Sequence, residues 1–217
     1  MIINVWLIDT VVVLLILTNL WVLGSSRLLS CIRIVAFQGV LMGLLPLVIS
    51  TDLAWHLFAQ AIISTVLKGF LFPWLLIRAV REANIRREIE PFVGFTISLL
   101  SGIGIFGLSL MLSHRIPLQA GMGSSLLTPL AIMTILVGLF MIISRKTAIN
   151  QVLGYLVMEN GIYGFGMAVV QEHPLIIEIG ILLDVFMAVF VMGLTIFRIN
   201  REFDHIDTNR LTILKDQ

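Results

Sequence analysis

The sequence predicts an all-α polytopic membrane protein of about seven transmembrane helices, with the N-terminus outside and the C-terminus inside. Three observations predict this. Of the 217 residues, 59% are hydrophobic and only 12% charged, with a mean hydropathy of +1.05, too apolar for a soluble domain of this size. The apolar runs reach the ~20 residues that cross ~30 Å of hydrocarbon. Twelve of the fourteen basic residues fall on one set of alternating connections, and such asymmetry fixes orientation during insertion.

The first span, 2–24, begins almost at the N-terminus, where MIINVWLID lacks the basic region and cleavage site of a signal peptide, so it is expected to be retained. Gly24-Ser25-Ser26-Arg27 ends it, and a second span, 29–50, runs to Ser50-Thr51-Asp52. The third, 54–78, is followed by the mixed-charge stretch 81–90 (REANIRREIE), read as a short solvated loop with helical character. Span 91–113 stops at His114 to Pro117, and span 123–143 at Ser144-Arg145-Lys146. The last two, 147–170 and 174–198, are separated by Gln171 to Pro174. Residues 1–200 thus form a single transmembrane helical domain, and the polar tail 201–217 is too short to fold alone but long enough to dock on a cytoplasmic partner.

With seven helices the termini lie on opposite sides. The first, third and fifth connections and the tail carry the twelve basic residues, and the opposite connections carry only Arg115. Lys68 is left in the membrane. After the first helix the chain reads as three hairpins of the same sense. The first and third share an order of polar groups: Gln38 then Gln60 and Lys68 in one, Glu159 then Glu178 and Asp184 in the other. The middle hairpin has no internal charge. Its Gly102, Gly104, Gly107, Gly121 and Gly123, with Ser98 and Ser101, are expected to serve close helix packing.

Lys68, Glu159 and Asp184 carry the functional signal. Charge inside a span costs a few kcal/mol per group on insertion scales (about 2.5–3.5), so such residues face protein or water. Helical rise puts Glu159 about 18 Å from the cytoplasmic edge, Asp184 about 15 Å and Lys68 about 21 Å from the outer edge. The three therefore form a layer near the bilayer centre. Desolvation favours the neutral form of either kind of group, which suits exchange of protons through water. A static buried ion pair that fixes helix packing is the competing reading. Glu178, nearer the outer end, is a possible entry-side relay. Asn160 is placed to orient Glu159, with Gly154 and Gly161 permitting close approach of a neighbouring helix.

Other polar residues say less. Asp9 and Arg33 sit near helix ends and are expected to reach the interface. His56 and His173 lie at outer helix ends, but with no second pair near the inner side a bis-histidine haem is not expected. His114 and His205 are loop residues. The single cysteine, Cys31, excludes an internal disulfide and a multi-cysteine metal site, and reads as a small buried hydrophobe. Nucleotide-binding, zinc-protease and CxxC patterns are missing, so no catalysis by this chain alone, no catalytic residue, no bound cofactor or metal and no nucleic-acid partner is expected.

Several stretches resemble the membrane component E family of hydrogenase-4. They are Gly154-Tyr155-Leu156-Val157-Met158-Glu159-Asn160-Gly161, then Glu178 to Asp184 (EIGILLD) with Val185 to Met192, Ser64 to Lys68 leading to Pro73, and the tail Asp207 to Lys215. The last two helices, within a K-type-like third hairpin at 144–198, are similar to the K-type subunit of respiratory complex I and the C subunit of Mrp-type antiporters. Asp184 matches the second membrane glutamate of the K-type subunit, with aspartate in its place. Glu159 stands about one turn later than the first, where this chain has Leu156. Lys68 matches the component E pattern only.

The resemblance implies a non-catalytic membrane-arm subunit of a complex I-like, group 4 [NiFe]-hydrogenase-type oxidoreductase in a prokaryotic inner membrane. Its implied partners are antiporter-like membrane subunits and a membrane anchor subunit. Lys68, Glu159, Asp184 and Glu178, supported by Gln38 and Asn160, would form a section of a proton or ion pathway. Two other functions stand beside it: a stand-alone secondary ion transporter, and a purely structural scaffold. Against the transporter, no apolar segment shows the paired Gly/Pro interruptions of an unwound substrate site.

Overall fold

The computed structural model describes residues 2–49, 55–82, 92–116, 126–169 and 193. The elements are α1 (Ile2–Gly24), α2 (Leu28–Ile49), α3 (Trp55–Val66), a π turn (Leu67–Leu71), α4 (Phe72–Glu82), α5 (Phe95–Ser113), α6 (Leu127–Ser144) and α7 (Ala148–Val169). No β-strand occurs among the described residues. Among the described residues, five segments are long and apolar enough to cross a bilayer: α1, α2, Ala61–Arg81 running from α3 into α4, α5 and α6. The 22 residues of α7 reach about 33 Å at 1.5 Å per residue. Its Asn150, Gln151, Glu159 and Asn160 set it apart from those five in composition. The seventh predicted span, 174–198, lies outside the described residues.

The third span departs from the continuous helix expected over 54–78. At Leu67–Leu71 the chain widens by one residue per turn, and the Phe72 N–H donates to the carbonyl of Leu67, five residues back. Pro73 supplies the reason. It has no N–H, and in a regular helix its ring presses on the carbonyl four residues earlier, that of Gly69. A π turn just before the proline relieves that contact while the helix continues to Glu82. The span is thus widened, not unwound.

Side chains of α1, α2, α4, α6 and α7 share one apolar core, with Leu23, Ile32, Phe72, Met133 and Leu153 among its fully buried members. A second cluster, including Val12, Leu15, Met42 and Leu130, sits toward the other end of α1, α2 and α6. Among the described elements the α6–α7 pair is the tightest. A methyl group at Gly161 would fall 2.5 Å from the backbone N of Ile135, and one at Gly154 would fall 2.9 Å from the Gly138 carbonyl oxygen. Gly138 presses on the Met158 backbone from the other side. These contacts are what was expected of Gly154 and Gly161.

In the middle hairpin the glycine expectation fails in part. Gly102 packs against Leu23, but a methyl group at Gly104 or Gly107 would meet nothing within 4 Å, and both residues are exposed. Helix α5 buries only 17% of its span, against 67% for α6. Gly104 and Gly107 lie on an outer face, while Ser98, Gly102, Ser109 and Ser113 are its buried residues. Gly121 and Gly123 lie outside the described residues.

Among the described residues, one basic residue of the connections is interior. Arg145, between α6 and α7, is 1% exposed. Its Nη2 donates to the Leu23 carbonyl oxygen at 2.7 Å, and its guanidinium lies 4.6 Å from the centroid of the Phe95 ring. It satisfies an end carbonyl of α1 with a cation, the sign that a helix C-terminus favours, and it meets the first residue of α5.

Candidate functional site: a buried ion pair in a polar layer

Lys68 is the second residue of the π turn and is 6% exposed. Its passage into the bundle depends on α2. A methyl at Gly39 would lie 2.7 Å from the Lys68 Cβ, and one at Gly43 would lie 2.7 Å from the Thr65 Oγ1. Only glycine at these positions lets α2 run this close to the turn. The amine then reaches α7, where Nζ lies 3.0 Å from the Glu159 Oε1, a carboxylate 2% exposed.

Tyr163 stands four residues after Glu159, hence on the same face of α7. Its ring centroid is 5.3 Å from the Lys68 Nζ, within cation–π range. The amine is held by a carboxylate and an aromatic face of one helix. Asn160, 2% exposed, keeps a buried Oδ1 with no hydrogen-bond partner among the described residues.

A second set of polar groups continues this layer through the other helices. The Gln38 Nε2 on α2 donates to the Asn19 Oδ1 on α1 at 3.0 Å. The Asn19 Nδ2 donates to the Thr134 Oγ1 on α6 at 2.8 Å, and Thr134 donates to its own helix at the Leu130 carbonyl, 2.8 Å away. Asn19 and Thr134 are fully buried. The contacts close into a circuit. Gln38 precedes Gly39, which abuts Lys68; Lys68 pairs with Glu159; Gly161 abuts Thr134; and Thr134 accepts from Asn19. Polar groups in hydrocarbon must find partners inside the protein, and here four helices and the π turn supply them at one level.

Chemically, the layer joins one acid, one base and a set of neutral amides and hydroxyls. Two charges this deep gain little net stability as a pair, because desolvation offsets much of their attraction, but removal of one strands the other. Of the residues read from the sequence, the structure brings Lys68 and Glu159 together, with Gln38 and Asn160 in the same layer. Asp184 and Glu178 lie outside the described residues. Asn19, Thr134 and Tyr163 were not read as site residues. Uncharged polar residues are common in membrane helices, and only the packing shows these facing inward. Elsewhere Cys31 is buried and His114 caps α5 in an exposed position, as expected. Among the described residues no three His, Cys, Asp or Glu side chains gather as metal ligands.

Apolar helices around a buried acid–base pair define a helical membrane protein with ionisable groups in its interior. Comparison with known proteins narrows that class. The family described as NADH-ubiquinone/plastoquinone oxidoreductase chain 4L matches residues 126–216, a stretch that takes in α6 as well as α7. An uncharacterized protein of Mycobacterium tuberculosis is 32% identical over 205 residues, 93% of each chain. Hydrogenase-4 component E of Escherichia coli K12 and of Shigella flexneri are each 29% identical over 205 residues, 93% of this chain and 94% of theirs. No solved structure matches. The chain belongs to the hydrogenase-4 component E family, and it is a complex I-like membrane subunit.

Proposed function

We propose that this chain is a non-catalytic membrane-arm subunit of a complex I-like oxidoreductase of the group 4 [NiFe]-hydrogenase type. In this reading its seven helices lie within residues 1–200 of a prokaryotic inner membrane, N-out and C-in, with the tail 201–217 in the cytoplasm. Antiporter-like subunits and a membrane anchor subunit are its neighbours. Lys68, Glu159, Asp184 and Glu178 line one section of a proton or ion pathway, and Gln38 and Asn160 support it.

The observation that carries the reading is the Lys68–Glu159 pair, 3.0 Å apart and almost fully buried on two different spans. Such a pair has two arrangements. With Glu159 ionised it holds the ammonium; with Glu159 protonated the attraction is lost and the amine is released. Electron transfer elsewhere in an assembly drives translocation through this element if it biases one arrangement over the other. The neutral hydrogen-bonding groups in the same layer give a moving proton places to pause.

The test is Glu159→Gln in the intact assembly in its own membrane. The expected result is a complex of normal composition that still transfers electrons but moves fewer protons per electron. A normal complex with unchanged coupling would reduce the pair to a packing device and overturn the pathway.

A further inference from the structure

We propose that Gln38 is a second seat for the Lys68 ammonium, taken up when Glu159 is protonated, and that Asn19 is the positioning residue that aims it. The inference deepens the pathway reading and rests on it for its purpose, although its test does not.

The hydrogen bonds from α1, α2 and α6 run in one direction. Thr134 gives its proton to the Leu130 carbonyl, so its oxygen receives the Asn19 Nδ2. That fixes the Asn19 Oδ1 as the acceptor for the Gln38 Nε2. The Gln38 Oε1 is therefore left over as an acceptor. It is buried in a residue 1% exposed and has no hydrogen-bond partner among the described residues. Buried acceptors of this kind are rarely left without a donor.

The nearby donor is rooted on the adjoining turn. Gly39, the next residue of α2, lies so close to Lys68 that a methyl there would meet its Cβ at 2.7 Å and its carbonyl oxygen at 3.5 Å. A lysine stem is flexible and carries a compact charge with three donors. Rooted where α2 meets the π turn, it pairs with the acid of α7, and the residue before Gly39 carries the left-over amide oxygen. When a proton binds a Glu159 carboxylate oxygen, an O–H bond forms and the charge attraction to Nζ is lost. The ammonium keeps all three of its protons and turns to the amide oxygen. No covalent bond of the lysine breaks.

Among the described residues, the π turn presents Lys68 to Glu159, and α7 itself carries Tyr155 and Tyr163. Helix α6 has no titratable residue, while α2 carries Cys31 and Arg33 in its first turns and α1 carries Asp9 near its start. The seat stabilises the state in which Glu159 is protonated. Losing it makes Glu159 harder to protonate.

The experiment follows the carboxylic-acid C=O infrared band of Glu159, assigned with Glu159→Gln, through a pH titration of the full-length chain in lipid nanodiscs. Gln38→Met is expected to lower the midpoint by about one pH unit, the scale of one hydrogen bond to a charged group. Gln38→Glu is expected to raise it, because a second carboxylate competes for the amine and repels the first. Asn19→Leu leaves the amide in place but unaimed, and lowers the midpoint by a smaller amount. A general packing role moves both Gln38 variants the same way, or neither, and either result overturns the proposal. If Gln38→Met does not fold, a folded Asn19→Leu with a wild-type midpoint overturns it equally. Intact coupling in the Glu159→Gln assembly alongside this order of midpoints would refute the pathway and keep the seat. Lost coupling with inert Gln38 variants would do the reverse.

Discussion

Helices α5 and α6 are similar in length and apolarity yet treat their polar and small residues in opposite ways. On α5 two of the buried hydroxyls are satisfied at home: Ser109 and Ser113 donate to the Phe106 and Leu110 carbonyls of the same helix at 2.7 and 2.8 Å. On α6, Thr134 also bonds its own helix but takes a second bond from α1, and Gly138 meets the backbone of α7. A methyl group at Gly104 or Gly107 of α5 would meet nothing within 4 Å among the described residues. A helix whose polarity closes on itself can face lipid or another subunit. A helix whose polarity is completed by neighbours cannot leave them. The Lys68–Glu159 pair belongs to the second region, where neighbouring helices come close enough to complete it.

The largest expected effect removes one charge from the interior. Lys68→Met leaves the Glu159 carboxylate in place without its ammonium, which is expected to cost about 3–5 kcal/mol of stability. Lys68→Met combined with Glu159→Gln should recover most of that, since neither residue then carries charge. Denaturant titration of the purified chain in mixed micelles measures both. A double variant no better than the single one would show that the two residues stabilise the fold independently of each other.

Next comes the close approach itself. Gly161→Leu forces a side chain into the space held by the Ile135 and Thr134 backbones, with an expected loss of about 3 kcal/mol, the upper part of the range for overpacking. Gly107→Leu on α5 meets open space and should change stability by less than about 0.5 kcal/mol in the same titration. Equal losses at the two positions would erase the distinction drawn between the helices.

This contrast explains what was legible in the sequence. Lys68 and Glu159 stood out because a charge in an apolar run is costly wherever it points, so the residue type alone signals a partner. Six of the predicted spans coincide with described helices to within a few residues. Glycine carries no such signal: Gly107 and Gly161 look alike in the chain, and only the neighbouring helix separates them. Asn19 was passed over for a related reason, since its amide could have faced any side. The π turn had a visible cause in Pro73, but a proline in a membrane span is compatible with a kink, a bulge or a plain first turn. Charge is read locally; complementarity is read only after packing.

Arg145 tests how the two regions are joined. It links the end of α1 to the start of α5 through Leu23 and Phe95. Arg145→Ala should cost about 1.5–3 kcal/mol, the range for a hydrogen bond to a charged group. Arg145→Lys should restore less than half, because an ammonium lacks the planar fork that both bonds the carbonyl and lies over a ring. Exposed Arg27, in the connection between α1 and α2, should tolerate alanine within about 0.5 kcal/mol. Full rescue by lysine would mean that charge near the α1 terminus matters and the stacking on Phe95 does not.

The smallest expected effect is also the cleanest check on α5. Gly104→Ala adds a methyl group where nothing lies within 4 Å, so no packing is disturbed. Alanine is the better helix former by about 0.8–1.0 kcal/mol in water. In a micelle the backbone is already driven to bond internally, so most of that advantage is lost. The expected result is a small gain, below about 0.5 kcal/mol, measured beside wild type in one titration. A clear loss instead would place another element of this chain against the outer face of α5, and the separation between a self-contained helix and an interlocked one would not hold.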